Sequence, residues 1–205
     1  MIKFIIFFLL IFNISHAVEF LGNFKQGSFI LGKTDPNSKV FIDDRKVRVS
    51  NDGYFAFGLD RDRKKNVLIK IINKKETTLI EKKVFKRKYK IQRIDGLPLK
   101  QVTPPPEVYE RIKKDNILIG KARAIDSKLI FFKNKFIYPI DKYIITGVYG
   151  SQRILNGKPR RPHYGIDFHA PEGTPVKSMM DGVVTLVEND MYFTGGTIIF
   201  DHGHG

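Results

Sequence analysis

The sequence predicts a mainly β protein of 205 residues: a small β-sandwich-like unit, a linker carrying a helix, and a second β-rich segment. Three observations predict it. Short alternating apolar runs separated by turn residues fill residues 20–92. A Pro-Pro-Pro break at 104–106 is followed by apolar residues at helical period. From 136 onward, strand-like runs return between Gly and Pro turns.

In the first unit the turns are Asp35-Pro36-Asn37, Asp43-Asp44 and Asn51-Asp52-Gly53. Between them lie the strand candidates Lys39–Ile42, Lys46–Val49, Tyr54–Phe57 and Asn66–Ile72, then Thr77–Ile80 and Lys83–Phe85. Strands at this spacing suggest an antiparallel sandwich. In the linker, residues 95–135, the three prolines should be extended. A helix is expected from near Glu107, with Glu107 and Glu110 favoured in its first turn by the dipole. Its apolar stripe would be Val108, Ile112, Ile119, Ala122, Ile125 and Leu129. In the last segment the strand candidates are Tyr143–Tyr149, Val176–Met179, Val183–Glu188 and Thr197–Asp201. Turns are expected at Asn156-Gly157, Pro171-Glu172-Gly173, Asp181-Gly182 and Gly195-Gly196.

Composition excludes several classes. With 42% hydrophobic and 28% charged residues, the chain is neither disordered nor collagen-like. It has no Cys, which removes disulfide scaffolds, CxxC zinc ribbons, iron–sulfur sites and thiol nucleophiles. A metal would have to be held by His, Asp or Glu. The net charge is +15, but residues 60–93 hold 14 basic and 4 acidic residues, whereas 136–205 hold 6 and 7. The basic surface therefore belongs to the N-terminal half. It fits a solvated face that blunts strand edges, or an adhesive face for anionic wall polymer. Its 25 Lys and 26 Ile against 5 Ala also fit an AT-rich coding sequence, which weakens any functional reading of the charge.

Residues 1–17 read as a secretory signal: Lys3, an apolar stretch from Phe4 to Ile14, then Ser15-His16-Ala17. The mature chain is expected to begin at Val18, without His16. The apolar stretch is short against the ~20 residues of a membrane span, and no later stretch is suited to crossing a bilayer. The expected setting is the periplasm or cell envelope, with wall polymer rather than nucleic acid as partner and no stable membrane span after signal cleavage.

The stretch with chemistry in it runs from Arg161 to Val176. His163 and Asp167 are four apart, an even spacing that shares a face in extended chain. Imidazole nitrogen and carboxylate oxygen are both zinc donors, and a catalytic zinc site takes three protein ligands and leaves a position open. Alone, such a pair is more often a surface feature or a hydrogen-bonded His–Asp couple. The neighbours add specificity: His163, Gly165 and Asp167 are followed by Gly173-Thr174-Pro175-Val176. Before them come Gly147-Val148-Tyr149-Gly150 and Arg160-Arg161-Pro162, and after them Asp181-Gly182-Val183-Val184.

Together these residues resemble the first zinc motif of the lysostaphin-type (β-lytic) zinc metallopeptidases, a peptidoglycan endopeptidase family. The resemblance covers residues 136–205. Upstream, Gln26-Gly27, Asp52-Gly53-Tyr54-Phe55 and Arg93-Ile94-Asp95-Gly96-Leu97-Pro98 resemble the accessory region of exported members. The resemblance implies a barrel-sandwich fold, the duplicated hybrid motif, and cleavage of peptide bonds in peptidoglycan. It implies zinc held by His163, Asp167 and the second His of a later His-x-His motif. It also implies a further His that acts, with the first His of His-x-His, around the metal-bound water. The organisation it suggests is a signal peptide at 1–17, a β-sandwich-like accessory domain at 18–94, the linker and helix at 95–135, and the N-terminal part of the peptidase domain at 136–205.

The departure from the pattern lies at Asp201-His202-Gly203-His204-Gly205, where the sequence stops before the later His motifs. His202 and His204, which share a face at i and i+2, offer a substitute for the missing ligand, but they follow Gly196-Thr197-Ile198-Ile199-Phe200, which resembles an earlier family strand whose Asp-His-Gly ending binds no zinc. His169 has no place in the motif; even spacing would leave it only a supporting position near the metal. The expectation is therefore a zinc endopeptidase that is C-terminally incomplete as given, inactive in these 205 residues, with a partner needed to close its open core. The alternative expectation is a non-catalytic envelope protein that binds wall or activates a cell wall amidase.

Overall fold

The computed structural model describes residues 18–74, 76–97 and 104–204. The expected signal peptide, the middle of the linker and Gly205 lie outside the described residues.

The first unit is the sandwich. One sheet has the order β1-β2-β5, from β1 (Glu19–Leu21), β2 (Phe29–Lys33) and β5 (Tyr54–Gly58). The other has the order β4-β3-β6-β7, from β3 (Lys39–Ile42), β4 (Arg45–Val47), β6 (Val67–Ile72) and β7 (Thr77–Lys82). All these pairings are antiparallel. The alternation seen in the sequence sets the register. Val67, Ile69 and Ile71 point inward from β6, while Leu68 and Lys70 are exposed. With Ile30, Val40, Ile42, Phe55, Phe57 and Leu59 they form the core, and Val18 and Phe20 pack at its margin. Gly32 belongs to this packing: a Cβ there would run into the Phe55 ring. The expected Lys83–Phe85 strand is reduced to a single bridge from Phe85 to Lys25.

A 3-10 turn at Pro106–Val108 leads into the helix α1 (Tyr109–Arg123), with Glu110 in its first turn and Lys121 and Arg123 in its last. The expected stripe is cut short. The Ala124 N–H closes on the carbonyls of Gly120 and Lys121, so Ile125 and Leu129 lie beyond the helix. Ala122 is its buried residue. Polar links fix the helix to the last hairpin: Arg111 Nη2 lies 2.8 Å from Asp190 Oδ2, and Asp115 accepts the Tyr192 N–H.

The second β segment is a set of small sheets. β13 (Val183–Met191) and β14 (Gly195–Asp201) form a hairpin. β9 (Ile144–Gly147) pairs antiparallel with β12 (Asp167–His169). β10 (Gln152–Leu155) pairs with β11 (Lys158–Pro159) across a tight turn, with Asn156 and Gly157 both at positive φ. On its other side β10 runs parallel to β8 (Ile91–Ile94), so strands before and after the linker share one sheet. The expected strand Val176–Met179 is not one. Its backbone meets residues 137–139 through Lys177 N–H to Pro139 O and Ile137 N–H to Met179 O, and Pro139 and Pro175 have no N–H to extend the ladder.

Candidate metal centre

β9 and β12 build the site. Their register places Asp167 opposite Gly147, with a β-bulge between Asp167 and Phe168. The Asp167 carboxylate lies over Gly147, where a Cβ would overlap Oδ2. A glycine at this point of β9 is therefore what lets the carboxylate lie against the strand.

His163 arrives by a different route. Residues 160–166 form no strand, so simple alternation does not place it. Its backbone is pinned at both ends instead: the His163 N–H donates to Ser151 O at 2.8 Å, and its carbonyl accepts the Gly150 N–H at 2.7 Å. The chain then turns through Gly165 into β12, and His163 Nε2 comes to 3.1 Å from Asp167 Oδ1. That nitrogen is shielded from solvent and has no hydrogen-bond partner, although the two side chains are 37% and 58% exposed.

The pair fits a zinc ion. Donors at 2.0–2.1 Å in a tetrahedron stand roughly 3.3 Å apart. A buried imidazole nitrogen without a hydrogen bond is costly unless something is to fill it. What the pair lacks is a third member. Among the described residues no group of three His, Asp or Glu side chains comes together.

The other histidines are held elsewhere. His169, opposite Ile144 in β12, is exposed and joins no group of three possible metal ligands among the described residues. His202 Nδ1 lies 2.8 Å from Asp181 O, and its ring stacks on Phe200. His204 packs on Phe132 with ring centroids 4.6 Å apart, and its backbone N–H donates to Ser127 O. Both His204 ring nitrogens are buried without partners. Burial, and next the nearby Arg48 charge, hold its pKa below the usual imidazole value, against an opposing effect of Asp126.

Comparison with known proteins finds likenesses at two scales, in sequence near the pair and in fold across most of the chain. Residues 161–205 match the model of peptidase family M23. Peptidoglycan DD-endopeptidase ShyA of Vibrio cholerae serotype O1 is 38% identical over 69 residues, which are 33% of this chain and 16% of that protein. The chain thus spans only a small part of the curated relative it matches. A crystal structure of a candidate peptidase M23 from Pseudomonas aeruginosa superposes with a TM-score of 0.61 at 19% identity, covering 89% of this chain and 70% of that one. That likeness extends the shared fold across the sandwich as well as the C-terminal segment. Through residues 161–205, this chain is similar to peptidase family M23.

Proposed function

We propose that the chain is part of an exported zinc endopeptidase that hydrolyses peptide bonds in peptidoglycan. The observation that carries the reading is the unpartnered His163 Nε2, 3.1 Å from the Asp167 carboxylate, within the stretch that matches family M23. His163 and Asp167 would hold the ion. Bound there, zinc would supply Lewis-acid polarisation of the scissile carbonyl and a lowered pKa for water. The chain's own residues do the positioning. Gly147 makes room for the carboxylate, and the backbone bonds to Gly150 and Ser151 hold the imidazole. The partial exposure of both side chains leaves the pair open to a substrate peptide.

Export follows from the proposed signal peptide at 1–17, and the destination is the periplasm or cell envelope. A second reading, a non-catalytic protein that binds wall or activates a wall amidase, is favoured by one observation: two donors converge among the described residues, not three.

The test is digestion of purified peptidoglycan sacculi by the protein isolated from its native envelope, with and without a chelator. The endopeptidase reading expects new peptide termini that vanish on chelation and return with zinc. Release of sugar-free stem peptides only when an amidase is added would support the second reading.

A further inference from the structure

We infer that Arg61 is a positioning residue for His163, through which the N-terminal sandwich sets the geometry of the metal ligand. The inference rests on the zinc reading of His163 and adds a residue more than a hundred positions away in sequence. Arg61 is the buried charged side chain of the described residues, 8% exposed. It belongs to the sandwich, in the turn after Leu59, yet its Nε donates to the carbonyl of Gly150 at 2.8 Å. The N–H of the same Gly150 donates to the His163 carbonyl at 2.7 Å, and the next residue, Ser151, accepts the His163 N–H. Two hydrogen bonds in series thus join the guanidinium to the backbone of the ligand.

Arg61 is itself held rigidly. Its guanidinium stacks over Tyr89 at 4.2 Å, its carbonyl accepts the Tyr89 hydroxyl at 3.1 Å, and Nη1 pairs with Asp62 at 2.6 Å. The Tyr89 ring fills the space beside Gly150, where any Cβ would strike it, and Gly150 has φ +85°. Tyr149 is seated in the same way over Gly27 of the sandwich. Residues 149–151 are therefore clamped from the sandwich side, while His163 hangs from their other edge. Burying a full charge is costly unless it is paired and hydrogen-bonded, and Asp62, Tyr89 and the Gly150 carbonyl supply those partners here.

The experiment compares Arg61→Met with Arg61→Gln in the full chain. Glutamine keeps an N–H donor the same number of bonds from the backbone as Arg Nε, whereas methionine keeps the stem and loses the donor. Both lose the Asp62 pair and the stacking charge. Two readouts are taken: the His163 ring nitrogen and proton resonances without metal, and zinc affinity by titration of those resonances. Arg61→Met is expected to move and broaden the His163 signals and to weaken zinc about tenfold, with Arg61→Gln restoring most of both. Identical His163 signals in all three proteins would overturn the inference. So would equal loss in the Gln and Met variants, which would mark a packing role. If Arg61→Met fails to fold, Tyr89→Phe takes its place, since it removes the hydroxyl that holds the Arg61 carbonyl; unmoved His163 signals there count against the inference. The metal-free readout stands apart from the zinc reading, which fails separately if His163→Ala binds zinc as the parent does.

Discussion

His163 Nε2 stands 3.1 Å from Oδ1 of Asp167 but makes no hydrogen bond to it or to any other described atom. Two good metal donors sit side by side at about the spacing a tetrahedral ion would impose, at ion-pair distance but without a hydrogen bond between them. Everything around the pair serves that spacing: a glycine under the carboxylate, and a backbone bond on each side of the imidazole residue.

Gly147→Ala should disturb the pair without disturbing the fold. Gly147 has no positive φ, so alanine is conformationally allowed, but its Cβ would displace the Asp167 carboxylate. Zinc affinity should fall by about tenfold or more. Isothermal titration with zinc checks this; unchanged affinity would mean the carboxylate takes no part.

The sandwich core sets the stability of the first unit. Phe55 is fully buried between the sheets and stacks with Phe57 at 6.4 Å. Phe55→Ala should cost about 3–5 kcal/mol in urea unfolding, and Ile69→Val about 0.5–1.5 kcal/mol. A smaller loss at Phe55 would mean the two sheets are not packed through it.

His204 should give stability a pH dependence. Its pKa is held low in the folded protein, so folding favours the neutral ring. Its contribution is complete above the unfolded value of about 6.5 and is lost as pH falls from there through the lowered folded value. His204→Phe, which keeps a ring against Phe132, should remove that part of the slope below about pH 6.5. Asp43 and Asp52 act lower. The Arg63 hydrogen bond to Asp43 and the Lys133 hydrogen bond to Asp52 depress both carboxyl pKa values, so their stabilisation is present above about 3.8 and is lost in more acid solution. Thermal melts across pH, run on the parent, His204→Phe and Asp43→Asn, separate the two windows.

The protein recovered from the cell envelope should begin at Val18. Val18 and Phe20 pack against the sandwich core and Glu19 opens β1, directly after the proposed cleavage point. N-terminal sequencing decides; retention of Met1 would turn the signal into an anchor.

Much of this architecture was legible because its signals are local. Alternation in Val67–Ile72, the Asn156-Gly157 turn and the start of α1 each depend on neighbours a few residues away. β2 was not seen: Phe29-Ile30-Leu31-Gly32 is apolar without alternation, and its strand character comes from pairing on both sides with β1 and β5. The parallel pairing of β8 with β10 joins residues about sixty apart and leaves no mark in either segment. Val176–Met179 reads as a strand by composition, but Pro175 before it and Pro139 facing it have no N–H to extend a ladder. At the site, the motif named both His163 and Asp167. Alternation along a single strand does not bring them together: His163 sits in a loop bonded to Gly150 and Ser151, and Asp167 sits in β12 opposite Gly147. Arg61 carries no sequence signal toward His163, since only the folded chain brings its Nε to Gly150.

The most direct measurement is a zinc titration of the protein followed through the His163 ring nitrogens, repeated in Asp167→Asn. Zinc should shift Nε2 in the parent, and Asp167→Asn should weaken the response strongly. Zinc binding that leaves Nε2 unmoved, or that is equally tight without the Asp167 carboxylate, would contradict the assignment of these two residues as metal ligands.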